Sequence, residues 1–88
     1  AALAQAPDDP LIRENRGFVA LKAGDWEGAI GFYDAALARD RDNALALWGR
    51  GYAREKLGRR AEAQRDYAAA RKALKDVDKA MGARGLVR

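Results

Sequence analysis

The sequence predicts an all-α fold in which antiparallel helix-turn-helix pairs stack side by side as a short solenoid. Three observations predict it. The dipeptide Arg-Gly recurs at Arg16-Gly17, Arg50-Gly51 and Arg84-Gly85, each 34 residues after the last. Sliding residues 10–43 over 44–77 gives ten identities, of which only three are Ala. Between the glycines the chain is mostly Ala, Leu, Arg, Glu, Lys and Gln, all good helix formers. A fixed period of this length marks a repeat architecture, where one unit cannot bury its apolar face alone and stacks on its neighbours.

Length and composition bound the rest. The 88 residues suffice for a single small domain, and such a chain buries only about 60% of the surface its unfolded form exposes. The apolar fraction of 49% overstates the core, because 21 of those residues are Ala. Cys and His are both absent. Disulfides, cysteine-ligated metals, His-based zinc patterns and the commonest general base are thereby excluded. No apolar run approaches the roughly 20 residues of a membrane span. Residues 1–44 carry a net charge of −3 and residues 45–88 a net of +7. Arg outnumbers Lys twelve to five. Abundant Ala and Arg is also what a GC-rich genome encodes, so the basic half is expected to be a solvated surface before it is a ligand site.

The same offset of 34 links Leu11 to Leu45, Lys22 to Lys56, Gly24 to Gly58, Ala29 to Ala63, Tyr33 to Tyr67 and Ala36 to Ala70. This skeleton resembles the tetratricopeptide repeat, whose pattern is W-x2-L-G-x2-Y, then A-x3-F, a second Ala and a Pro. Gly17, Ala29, Tyr33 and Ala36 fill the Gly, first Ala, aromatic and second Ala slots of one repeat. Gly51, Ala63, Tyr67 and Ala70 fill those of the next. The Trp slot instead holds Arg13 and Leu47, the Leu slot Arg16 and Arg50, the Tyr slot Ala20 and Arg54, and the Pro slot Arg41 and Lys75. The resemblance implies a short right-handed superhelix. It also accounts for the glycines. A mid-helix Gly costs up to about 1 kcal/mol relative to Ala. Gly17 and Gly51 fall where the two helices of a repeat cross, with the four alanines as small partners on the second helix. Gly24 and Gly58 end the first helix, in the left-handed position that prefers Gly.

The phase sets the expected elements. Residues 1–9 are the tail of a preceding repeat or an N-terminal cap, with Pro7 in the Pro slot and Asp8 or Asp9 as cap. Repeat one is 10–43, with helices near 9–23 and 26–39. Repeat two is 44–77, with Asn43 or Asp42 as cap and helices near 43–57 and 59–75. Residues 78–88 form a C-terminal capping helix, capped by Asp76 or Asp78 and closed by Gly85. The expected large core residues are Ile12, Val19, Ile30, Tyr33, Leu37, Leu47, Leu57, Tyr67 and Leu74. Entry late in a repeat reads as a fragment of a longer array, and the last residues read as a natural end. With two full repeats, near the lower limit for an independent fold, self-association or swapping of a terminal helix is expected.

The resemblance further implies that the first helix of each repeat lines a concave groove that binds a peptide or helix of another protein. The stripe at helical spacing is Leu11, Glu14, Phe18, Leu21 and Lys22 on the first helix, and Leu45, Trp48, Tyr52, Glu55 and Lys56 on the third. Two readings of its aromatics stay open. They anchor a partner, as Trp and Tyr do at interfaces, or they pack between repeats or under residues 76–88 folded back. Trp26, at a turn, reads as a local packing lid. Some relatives clamp a chaperone C-terminal carboxylate with Lys, Asn and Arg; Glu14 and Phe18 at those places disfavour it. Lys22, Lys56 and Lys79 leave a positive rim for an acidic partner. The periodic Arg16, Arg50 and Arg84 are expected to pair with nearby carboxylates.

The alternatives are a basic nucleic-acid-binding surface built on Arg54, Arg59, Arg60 and Arg65 with Tyr67, or a docking arm of a larger enzyme or of a secretion or signalling assembly. No nucleic-acid signature accompanies the arginines. No phosphate loop, paired carboxylates in an apolar setting or nucleophile–base set is present, so no cofactor and no catalysis are expected.

Overall fold

Glycine punctuation sets the helix ends. In the computed structural model, which describes residues 10–86, positive φ is found at Gly24, Gly58 and Gly85, at 79°, 83° and 92°. All three close a helix the same way. The glycine N–H donates to the carbonyl three residues back, and the next N–H donates to the carbonyl five back. These bonds are Gly24 to Leu21 (3.0 Å) with Asp25 to Ala20 (2.9 Å), Gly58 to Glu55 (3.0 Å) with Arg59 to Arg54 (2.8 Å), and Gly85 to Gly82 (2.9 Å) with Leu86 to Met81 (3.0 Å). A residue with a Cβ would be strained at each.

Five helices result: α1 (Pro10–Ala23), α2 (Trp26–Arg39), α3 (Ala44–Lys56), α4 (Arg60–Ala73) and α5 (Val77–Ala83). No strand occurs among the described residues. Asp25 caps α2 by accepting from the Gly28 N–H at 3.0 Å, and Asn43 caps α3 by accepting from the Ala46 N–H at 3.1 Å. Arg59 and Asp76 stand at the starts of α4 and α5 without a side-chain cap bond. Helix α4 stops at Ala73 because Leu74 turns extended, two residues before the expected end. Helix α5 begins at Val77, so the expected division between 77 and 78 falls inside it. Residues 1–9, with Pro7 and the caps expected at Asp8 and Asp9, lie outside the described residues.

Helices pair in sequence: α1 on α2, α2 on α3, α3 on α4. Tyr33 and Tyr67, fully buried with Ala29, Ala36, Ala63 and Ala70, form the centres of the two pairs. Aromatic side chains of this kind bury about 150–250 Å² each and dominate core energetics. A Cβ at Gly17 would stand 2.7 Å from the Tyr33 ring, and one at Gly51 only 3.1 Å from the Ala63 carbonyl oxygen. The crossing of α1 and α2 therefore requires Gly17, and that of α3 and α4 leaves little room at Gly51.

Of the expected core residues, Ile12 is only half-buried, Leu57 is half-buried against the core, and two are exposed. Val19 is 65% exposed and Leu74 is 43% exposed. At the phase of Val19 the next repeat has Ala53, which is buried. Ala46 and Ala53 share a face of α3 with Gly49, and that face meets Tyr33 of α2. No helix covers the matching face of α1 among the described residues. Leu74 follows the end of α4, beyond the pair interface.

Candidate partner-binding face

Helices α1 and α3 touch each other, whereas α2 and α4 do not. The two pairs therefore lean together on the α1–α3 side, which makes that side concave. The stripe singled out in the sequence divides into an accessible and a covered part.

The accessible part is a repeated pair. Phe18 and Tyr52 are half-buried and lie 34 residues apart. The ammonium group of Lys22 lies 6.0 Å from the Phe18 ring centroid, and that of Lys56 lies 5.2 Å from the Tyr52 centroid. Both are one-turn spacings on a helix, at which an aromatic and a cation attract. Leu45 and Glu55 are half-buried beside them. Glu55 accepts a hydrogen bond from the Tyr67 hydroxyl at 2.8 Å, so it also supports the core. Trp26 leans on Tyr52 at 6.2 Å between centroids. The side chain of Leu11 lies outside the described residues.

The covered part corrects the expectation of an open stripe. Glu14 is 1% exposed, Leu21 is 3% and Trp48 is 1%. C-terminal residues lie against Trp48 and Glu14, while Leu21 belongs to the buried core. The Trp48 indole N–H donates to Asp78 at 2.7 Å. The two terminal nitrogens of Arg84 donate to the two carboxylate oxygens of Glu14 at 2.9 and 3.0 Å. The Arg84 guanidinium also lies 4.6 Å from the Phe18 ring centroid. Val77 and Met81 are fully buried and Leu86 nearly so. Trp48 stacks on Tyr52 at 5.3 Å and meets Tyr67 edge-on at 5.5 Å, which continues the apolar wall into the core.

Burial and ion pairs set the electrostatics. The hydrogen bonds to Glu14 hold the Arg84 pKa above its ordinary value, against the opposing effect of partial burial. Burial also works against the charge of Arg50, yet hydrogen bonds to Asp66 and Asp34 raise its pKa overall. Arg50 bridges the two carboxylates at 2.8 Å each, and Arg54 joins Asp66 at 2.9 Å. Burial, reinforced by the Glu14 carboxylate and partly offset by Arg84, pushes the Tyr33 hydroxyl well above the usual tyrosine range. Arg59 pairs with Glu27 and Arg71 with Asp78. Arg50 and Arg84 thus hold carboxylates, while Arg16 at the same phase is exposed.

Of the two readings left open for the stripe, packing under residues 76–88 holds for Trp48, although sequence reasoning did not single out Asp78 or Met81 within that segment as its contacts. The signal was present: Asp78, Met81 and Arg84 follow at three-residue steps on one side of a helix. Sequence reasoning also left Gly49 unexplained, although a Cβ there would collide with the Tyr33 ring.

A family model for the tetratricopeptide repeat matches residues 1–44 and again residues 19–63. The chain belongs to the tetratricopeptide repeat family. No curated protein and no solved structure matches it. Tetratricopeptide repeats generally mediate protein–protein interaction and are typically non-catalytic scaffolds. No helix among the described residues is long and apolar enough to cross a membrane.

Proposed function

We propose that this tetratricopeptide repeat chain is a non-catalytic interaction module that receives a peptide or helix of a partner protein on the concave face of α1 and α3. One observation carries the reading: an accessible aromatic–lysine pair, Phe18 with Lys22 and Tyr52 with Lys56, is repeated at the period of the fold on that face. A ring supplies apolar contact area and the lysine beside it attracts an acidic neighbour on the partner. Leu45 and Glu55 flank the site. Glu14 and Trp48 become contacts when residues 77–86 leave them, and Leu21 backs the face from the core. Gly17, Gly24, Ala29, Tyr33, Ala36, Gly51, Gly58, Ala63, Tyr67 and Ala70 hold the helices at the spacing that shapes the face. Of the four arginines a nucleic-acid reading would use, Arg54 and Arg59 hold carboxylates, so only Arg60 and Arg65, both exposed, would speak for it.

The test places a photo-crosslinking amino acid at Tyr52, or at exposed Ala68 on α4, in the full protein in its own cells. A discrete polypeptide adduct from position 52 that is absent from position 68 is expected. Identical adducts from both positions would refute the concave face as the binding surface.

A further inference from the structure

Residues 77–86 do more than close the end of the stack, for they lie along the face that the proposed function assigns to a partner. Two hydrogen-bonded contacts and one buried side chain fix them. Asp78 accepts from the Trp48 indole at 2.7 Å, Met81 is fully buried, and Arg84 grips Glu14 through two bonds. The three side chains follow at steps of three, so they share one side of a helix. Each answers a demand of the groove. A carboxylate buried like Glu14 needs a cation in hydrogen-bonding geometry, and a buried indole N–H needs an acceptor. Trp48 and Tyr52, stacked on each other, supply an apolar wall beside these two polar points. An all-apolar face would accept many helices in many registers, whereas two polar anchors fixed apart select one.

The segment that meets these demands is weakly built. Helix α5 has seven residues, too few for stability on its own. Its N-cap Asp76 makes no side-chain cap bond. Gly82 lies inside α5 with nothing within 4 Å of where a Cβ would be, so packing does not require a glycine there. A glycine that packing does not require lowers helix stability.

We infer that the concave groove is a receptor for a partner helix bearing an acidic residue, an apolar residue three further on and an arginine three beyond that, and that residues 77–86 hold this place until the partner displaces them. The inference rests on the proposed function and specifies its ligand. The occupant is a helix of another protein; a swapped segment from a second copy, or a permanent cap, is a competing outcome of the test.

The probe is a synthetic peptide of residues 75–88, which carries the required pattern, titrated into the full chain. In a Met81→Glu/Arg84→Glu chain the internal segment no longer competes. The peptide is expected to bind this chain about tenfold or more tightly than the unaltered one, as removal of a self-occupied state implies. A peptide with the Arg84→Glu change is expected to lose binding there and to regain it on a Met81→Glu/Glu14→Arg chain, whose own Arg84 then faces a like charge. Equal affinity for altered and unaltered chains with helicity retained would overturn the inference, as would a dimer of the unaltered chain held by exchanged segments. Should the double variant fail to fold, Arg84→Gln serves instead, read by hydrogen exchange at the Trp48 indole. Exchange faster than in the exposed control Lys79→Gln and slowed again by the added 75–88 peptide supports displacement, and exchange equal to the control or unmoved by the peptide refutes it. Failure here with a position-52 adduct retained removes only this ligand assignment; loss of the adduct removes the function beneath it.

Discussion

The ring of Tyr33 in α2 occupies the space that a side chain at Gly49 in α3 would need. Gly17 in α1 stands against the same ring. One aromatic plate is thus received by glycines from two helices, which locks a repeat to its successor as well as to itself. Gly49→Ala is expected to destabilise the chain by about 1–3 kcal/mol through overpacking, despite the better helix propensity of Ala. Gly31→Ala, at an exposed position of α2 with open space around it, is expected to stabilise by about 0.5–1 kcal/mol. Denaturant unfolding of both variants checks the pair, and equal effects would refute the packing account.

The two core tyrosines differ in what their hydroxyls do. The Tyr33 hydroxyl is buried without a hydrogen-bond partner among the described residues, while that of Tyr67 donates to Glu55. Tyr33→Phe is expected to be neutral or stabilising by up to about 1 kcal/mol at neutral pH, and Tyr67→Phe to lose about 1.5 kcal/mol. The raised pKa of Tyr33 adds a pH signature. Above the ordinary tyrosine pKa of 10.0 the unfolded chain releases this proton and the native chain keeps it. The unfolded state then binds fewer protons, so stability is full below that pH and falls above it, by about 1.4 kcal/mol per pH unit from this group. Unfolding measured from about pH 8 to 11 should show a shallower fall in Tyr33→Phe than in the unaltered chain.

Asp66 is 4% exposed and takes three hydrogen bonds, two from Arg50 and one from Arg54. Removing it leaves two partly buried guanidinium groups without their shared counter-charge. Asp66→Ala is expected to cost about 3 kcal/mol. Asp34 holds the other end of Arg50 from a half-exposed position, and Asp34→Ala is expected to cost less than about 1 kcal/mol. Thermal unfolding of the two variants side by side gives the comparison.

A cleft of about 440 Å³ between α1 and α2 is lined by Ile12, Val19, Ala20 and Phe32, among others. Val19 lies open in it, and Val19→Ser is expected to change stability by no more than about 0.5 kcal/mol. Ala53→Val, at the same phase of the next repeat but buried, is expected to cost about 1–3 kcal/mol. A large loss at Val19 would mean that a part of the protein outside the described residues covers this face.

The helix count, the turns and the pairing were legible because they depend on local chemistry repeated at a fixed interval. Gly24, Gly58, Asp25 and Asn43 each act within a few residues of themselves, so their roles are written in the neighbouring sequence. Val19 was misplaced for the opposite reason. Its burial depends on whether a further helix stands beside α1, and no pattern inside residues 10–23 records that. The concave stripe was readable as a stripe, but not as covered or open. Trp48 and Glu14 owe their burial to Asp78 and Arg84, which lie 30 and 70 residues downstream. Such pairings are chosen by how far the chain returns across its own surface, and periodicity is silent on that.

Repeat arrays held only by neighbour-to-neighbour stacking fray from either end. The ion pair between Glu14 and Arg84 ties the first described helix to the residue that follows the last. Amide protons of α1 should therefore exchange through the same concerted opening as those of α3. Releasing that tie would let the leading helix loosen first, so occupancy of one face would set the cooperativity of the whole.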